Sequence, residues 1–256
     1  KLGGKYEIIS THNSFHGRTL ATLTATGQEK VQKGFEPLPS GFAYVPFNNF
    51  DALEQAVSGK TAAILLEPVQ GEGGVRVADR AYLAQVRELC RQRDILLIFD
   101  EVQTGMGRTG TLFAYEQLGV TPDIMTLAKG LGGGVPIGAC LAIDSVAAAF
   151  VPGAHASTFG GNPLACSAAL AVLRVLHEGR ILEHGRRMGE YLGKGLQDLA
   201  ERFPNVKEAR GLGLLRGLEL TIAGTPIVAD CLARGFLINC TVDRVLRFVP
   251  PLIISQ

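Results

Sequence analysis

The chain has 256 residues, 46% of them apolar and 19% charged, which is the profile of a globular protein and not of a disordered or fibrous one. Lys and Arg number 25 against 24 Asp and Glu, a formal net charge of +1, so no cation excess is available for nucleic acid or an anionic membrane, and neither partner is expected. No apolar stretch reaches the roughly 18 residues that a membrane span needs, and a chain this long buries enough surface to fold without disulfide or metal staples.

Short apolar runs alternate with helical patterns. Residues 6–10, 42–45, 62–66, 95–99, 124–127 and 139–143 read as buried strands, being short, β-branched or aromatic, and without two-residue alternation. Asp79 is placed to cap a helix whose Leu83, Val86 and Cys90 share one face. Asn162-Pro163 pairs a cap with proline at the first helical position, and the helix it opens carries Leu164, Ala168, Ala171, Val172 and Val175 before stopping at Gly179. This alternation predicts an α/β fold, a mostly parallel central sheet with helices on both faces, over residues 1–179. From 180 to 256 a charged helical stretch (180–202) and strand-like pieces at 213–220, 236–239 and 245–249 predict a smaller α+β unit.

The five cysteines are Cys90, Cys140, Cys166, Cys231 and Cys240, an odd number with no CxxC; the last four sit in apolar or small-residue runs and read as reduced core residues of a cytoplasmic protein. The 32 glycines cluster at 71–74, 105–110, 130–134, 160–161 and 211–213, marking tight turns and close backbone approaches of the kind found around a ligand cleft.

In an open α/β sheet, ligands bind at the carboxyl ends of the strands. Three apolar runs lead directly into chemistry: 62–66 into Glu67, 95–99 into Asp100, and 124–128 into Lys129. Asp100 leaves the most apolar run, where a carboxylate needs a cationic or hydrogen-bonding partner; a helix cap or an ion pair would also explain it. Lys129 reads either as a salt-bridge partner or as an imine-forming lysine, for which burial is useful. Together the two suit pyridoxal phosphate, with lysine on the aldehyde and a carboxylate on the pyridine nitrogen. The run Gly130-Leu-Gly-Gly-Gly lacks dinucleotide-loop spacing. His12 and His16 have no neighbouring ligand set, so no metal site is expected.

The motifs Asn13-Ser-Phe15-His16-Gly17-Arg18, Glu67-Pro-Val-Gln-Gly-Glu72-Gly-Gly, Phe99-Asp100-Glu101-Val102-Gln103-Thr-Gly-Met-Gly-Arg108, Lys129-Gly-Leu-Gly-Gly-Gly, Ser157-Thr158-Phe-Gly-Gly-Asn162-Pro and Arg247-Phe-Val-Pro-Pro-Leu stand in the order seen in class III pyridoxal-phosphate aminotransferases. Within that class the chain looks closest to the acetylornithine aminotransferases; ornithine, 4-aminobutyrate and lysine ω-aminotransferases are similar. The resemblance implies fold-type I architecture, pyridoxal 5′-phosphate as cofactor, and transfer of a distal amine to 2-oxoglutarate in arginine biosynthesis. It also implies a homodimer with shared active sites.

Carried onto this sequence, the resemblance makes Lys129 the Schiff-base lysine and proton shuttle and Asp100 the partner of the pyridine nitrogen. Gln103 would meet the phenolic oxygen, Val102 and Phe15 the two ring faces, and Thr158 the phosphate of the neighbouring subunit's cofactor. Arg18, Glu72, Arg247 and Ser157 would serve the substrates. Arg18 would take the donor's α-carboxylate, while Glu72 would mask Arg247 in one half-reaction and release it for 2-oxoglutarate in the other. Glu67, Glu101 and Arg108 read as structural, and His12 and His16 carry no role. Family chains are longer, with a Ser-Gly-Thr-type phosphate loop and further C-terminal helices, so the sequence is expected to be part of a longer chain. An inactive, truncated relative acting as a binding scaffold is the alternative.

Overall fold

In the computed structural model residues 4–256 are described; residues 1–3, where the larger unit is expected to begin, lie outside them. The first strand among the described residues is β1 (Glu7–Thr11), followed by α1 (Leu20–Ala25), α2 (Glu29–Gln32) and β2 (Phe42–Val45). Helix α3 (Phe50–Ala56) leads to β3 (Thr61–Leu66), and a hairpin of β4 (Val69–Gln70) and β5 (Arg76–Val77) precedes α4 (Arg80–Arg93). Then come β6 (Leu96–Asp100), α5 (Ala114–Leu118), β7 (Ile124–Leu127), a 3-10 turn (Lys129–Gly132), β8 (Ala139–Ala142) and α6 (Asp144–Ala147).

The central sheet has the order β2-β1-β3-β6-β7-β8, with every pairing parallel except β7 with β8. The expected mostly parallel sheet is therefore present. Its burial, however, alternates in a way the uniformly apolar runs do not announce. Ile64, Leu66, Leu97 and Phe99 share one register face and are fully buried against α3 and α4, whereas Leu65, Leu96 and Ile98 on the opposite face are half-buried. Asp100 belongs, by register, to that second face. The run at 139–143 forms an edge strand, with Leu141 and Ile143 exposed, so the expectation of a buried strand there does not hold.

Helix α4 buries Leu83, Val86 and Cys90 as expected, but the Asp79 side chain makes no capping bond. Helix α7 (Pro163–Glu178) starts as expected, Asn162 Oδ1 accepting the Ala165 amide at 2.9 Å. Its inward face is Ala165, Ala169 and Leu176, flanked by Val172; Leu164 and Val175 face outward. The helix is apolar nearly all round, so its inner face is set by what it meets. Gly133 (φ +58°) lets the 3-10 turn approach Val172, where a β-carbon would fall 2.9 Å from Cγ2. Of the cysteines only Cys90 is buried; Cys140 is exposed, Cys166, Cys231 and Cys240 are half-buried and all are free, which corrects the reading of those four as core.

Helix α8 (Ile181–Arg202) runs on to β9 (Val206–Leu212) and β10 (Leu215–Leu220), then α9 (Thr225–Ala233), β11 (Asn239–Thr241) and β12 (Val245–Phe248). The strands form an antiparallel sheet of order β11-β12-β10-β9. The strand-like reading of 236–239 fails over most of its length, since Phe236 and Leu237 are exposed and β11 begins at Asn239. The β4–β5 hairpin joins the two sheets, packing Val69 and Val75 on Leu215. Arg108 adds a clamp, donating to the Leu214 and Pro250 carbonyls at 3.1 and 2.6 Å.

Candidate active site

Four neighbouring parallel strands, β1, β3, β6 and β7, deliver Phe15 and His16, Glu67 to Glu72, Asp100 to Gln103, and Lys129 to one edge of the sheet. Asp100 ends β6 and is 8% exposed. Its Oδ2 lies 2.8 Å from His16 Nδ1, and Oδ1 accepts the Val102 amide at 3.1 Å and the Thr126 hydroxyl at 3.3 Å. The carboxylate is thus oriented by three groups from three chain segments. His16, which carries no role in the sequence reading, has its side chain 2% exposed, and its Nε2 is buried without a hydrogen-bond partner.

Lys129 follows β7 with φ +46°, a conformation that costs a non-glycine residue free energy and is often found where a side chain is held for function. Burial lowers its amine below the ordinary lysine range; Asp100, Glu72 and Glu67 pull the other way, and Arg247 adds to the lowering. Lys129, Val102, Gln103, Glu72 and Arg247 line one cavity of about 520 Å³.

Arg247, from β12, meets Glu72, from the β4–β5 turn, with Nη1 to Oε1 at 2.6 Å. The same Nη1 lies 3.1 Å from the Gly71 carbonyl, and Nε donates to Asn239 at 3.2 Å. Gln103 Nε2 donates to Glu72 Oε1 at 3.3 Å, so its amide faces this ion pair. A smaller pocket of about 210 Å³ adjoins Glu72 and is lined by Phe15, Arg18, Lys30 and the β11–β12 turn. The Arg18 guanidinium lies 5.5 Å over the Phe15 ring.

Ser157 and Thr158 stand apart on an exposed segment before α7 and line neither pocket; Ser157 Oγ accepts the Gly160 amide. Glu101 accepts the Thr104 hydroxyl and the Ala114 and Tyr115 amides, a structural cap on α5. Glu67 is not merely a filler: its two oxygens accept the Phe15 and Gly71 amides. The rule that singles out Asp100, a carboxylate directly after an apolar run, also reaches Glu67. No comparable signal marks His16, whose partner is 84 residues away.

The donor set fits pyridoxal 5′-phosphate. A partly desolvated amine and an oriented carboxylate follow adjacent strands, beside a cavity of the size that small-molecule cofactors occupy. Among the described residues no group of three His, Cys, Asp or Glu could hold a metal ion, and no helix is long and apolar enough to cross a membrane.

The family description aminotransferase class-III matches residues 1–256. An acetylornithine aminotransferase of Methanocaldococcus jannaschii is 57% identical over 254 residues, which is 98% of this chain and 63% of that one. One from Thermosynechococcus vestitus is also 57% identical, over 97% of this chain and 63% of its own. Among solved structures, the ornithine aminotransferase of Toxoplasma gondii superposes with a TM-score of 0.93 at 38% identity, covering 99% of this chain and 62% of the other. The chain therefore spans a little under two thirds of the length of these relatives.

Proposed function

The chain belongs to the class-III aminotransferase family, and from that premise we propose that it forms part of a pyridoxal-5′-phosphate-dependent enzyme that transfers the distal amine of N-acetylornithine to 2-oxoglutarate. The products are the semialdehyde and glutamate, and the setting is arginine biosynthesis in the cytoplasm. The observation that carries this reading is the Glu72–Arg247 ion pair lining the same cavity as Lys129.

When bound, pyridoxal 5′-phosphate supplies an aldehyde that accepts an amine and a pyridine ring that spreads the electron pair left at carbon. Asp100 would hold the ring nitrogen, its orientation set by His16, Thr126 and the Val102 amide. Val102 and Phe15 would cover the ring faces, and Gln103 would donate to the phenolic oxygen. Lys129 Nζ, more readily neutral because it is partly desolvated, would take the proton from the donor's amine-bearing carbon and return it. Arg18 would bind the donor's α-carboxylate. With Glu72 on Arg247 no free cation is presented beside the amine; with Glu72 displaced, Arg247 offers a two-pronged site to the α-carboxylate of 2-oxoglutarate.

A homodimer with shared sites belongs to the same proposal. Phe150, Phe159, Leu164 and Val175 are exposed along the segment that also carries Ser157 and Thr158, with Phe159 at 81% and Leu164 at 76%. Exposed apolar side chains on this segment support an interface there, across which Thr158 would reach the phosphate.

The test is steady-state kcat/KM with N-acetylornithine, ornithine and 4-aminobutyrate as donors, alongside borohydride fixation of the cofactor. Preference for N-acetylornithine and fixation at Lys129 are expected. Preference for ornithine would favour the second reading, which the Toxoplasma gondii likeness supports. Fixation at another lysine would overturn the site.

A further inference from the structure

Glu67 is a buried carboxyl, 3% exposed, that the mechanism above leaves unused. It follows β3 directly, and its two oxygens serve two different chain segments. Oε2 accepts the Phe15 amide at 2.9 Å, across 52 residues of sequence, while Oε1 accepts the Gly71 amide at 3.3 Å within the β4–β5 turn. Among the described residues no Lys or Arg is ion-paired with it. A buried carboxylate without a cation is costly, and an amide of the same shape would fill the space more cheaply. What an amide cannot do is accept at both ends, since one end of it only donates.

We propose that Glu67 is a positioning residue that straps the Phe15–Arg18 segment to the Gly71–Glu72 turn, holding the two walls that receive the amino donor at a fixed separation. The inference rests on the reading of these walls as a donor site. Phe15, Arg18 and Glu72 line one small pocket, so a backbone-amide hydrogen bond to each oxygen of Glu67 sets the distance between the carboxylate-binding cation and the Glu72–Arg247 pair.

The strap is complete only while Glu67 is ionised. Burial pushes its carboxyl up to about 7, and Asp100 adds to the rise; His16 and the Phe15 and Gly71 amides oppose it. Lys129 feels the same charge. On protonation one oxygen becomes a hydroxyl, a donor that accepts only weakly, so one amide contact weakens and the strap loosens as the pH falls through neutrality and tightens as it rises.

The experiment measures amide hydrogen exchange at Phe15 and Gly71 and the equilibrium Kd for N-acetylornithine, both on the cofactor-loaded protein between pH 6 and 8. It uses the parent, Glu67→Gln and Glu67→Asp. In the parent, protection of the two amides, corrected for intrinsic exchange, should rise about tenfold over this range, following a group titrating near 7. Glu67→Gln should keep one amide protected, lose the other about tenfold at pH 8, show no titration, and bind the donor about tenfold more weakly, the worth of one hydrogen bond to a charged acceptor. Glu67→Asp, too short to span both amides, should lose one of them while retaining a titration. Parent-like protection in Glu67→Gln, or an untitrating parent, would overturn the strap. Altered protection with an unchanged Kd would overturn the positioning role. The parent's own titration needs no variant to fold. Failure of the parent to bind any amino donor would count against the donor-site reading, while the amide data would still judge the strap.

Discussion

Arg247 Nη1 and Glu72 Oε1 lie 2.6 Å apart, a contact between residues 175 positions apart that ties the antiparallel sheet to the β4–β5 hairpin. Arg247 is 10% exposed at its side chain and Glu72 34%. The arginine is held by the Gly71 carbonyl and Asn239 as well, and the glutamate, which also accepts from Gln103, is the more exposed of the two.

Removing that glutamate should expose Arg247 permanently. Glu72→Ala is expected to raise kcat/KM for glutamate as donor relative to N-acetylornithine by about 10- to 100-fold, the worth of a charged hydrogen bond of about 1.5–3 kcal/mol. Arg247→Ala should mainly impair the 2-oxoglutarate half-reaction. Stopped-flow absorbance of each half-reaction measures both, and an unchanged substrate ratio in Glu72→Ala would make the pair purely structural.

The His16–Asp100 contact predicts a graded pair of defects. Asp100→Asn should retain cofactor and lose turnover by several powers of ten, because an amide cannot keep the ring nitrogen protonated. His16→Ala leaves Asp100 Oδ2 without its 2.8 Å partner. It should cost less, about 1–3 kcal/mol or 5- to 150-fold in kcat/KM, as for an unsatisfied buried acceptor. A larger loss in His16→Ala than in Asp100→Asn would contradict the order of roles.

Lys129 is lowered from the ordinary lysine range chiefly by burial. A lowered amine reaches its neutral form at lower pH, so capture of pyridoxal 5′-phosphate by Lys129 should show its midpoint below the roughly 10.4 of a free lysine. Borohydride trapping across a pH series, read by peptide mass, gives that midpoint. Lys129→Ala should abolish trapping at this position and reduce turnover by orders of magnitude.

Two glycines of α8 predict opposite changes in stability. A β-carbon at Gly189 would fall 2.4 Å from the backbone carbon and oxygen of Gly213, so Gly189→Ala should destabilise by about 1–3 kcal/mol through overpacking. At Gly195 nothing lies within 4 Å, and Gly195→Ala should stabilise by up to about 1 kcal/mol through helix propensity. Thermal or denaturant unfolding of the two variants measures the difference in sign.

Much of the sheet and the chemistry of its edge was legible because both depend on local order. Apolar runs of strand length become strands, and the residue that leaves each run arrives at the sheet edge. That brought Asp100 and Lys129 to one sheet edge, and the resemblance carried by the ordered motifs paired Glu72 with Arg247. Contacts across long stretches of chain were beyond such reasoning. His16 reaches Asp100 and Glu67 reaches the Phe15 amide only because β1, β3 and β6 are neighbours in the sheet, an order unrelated to their spacing in the chain. Exposure was decided at the same level. Residues 139–143 and the outer face of α7 are as apolar as the core, yet an edge position and the packing of α7 on the 3-10 turn leave them uncovered. Hydropathy and spacing determine which segments become strands and helices and which residues reach a strand's end. The neighbours those segments acquire determine which side chains meet and which faces stay open, because burial and hydrogen bonding are properties of the assembled surroundings.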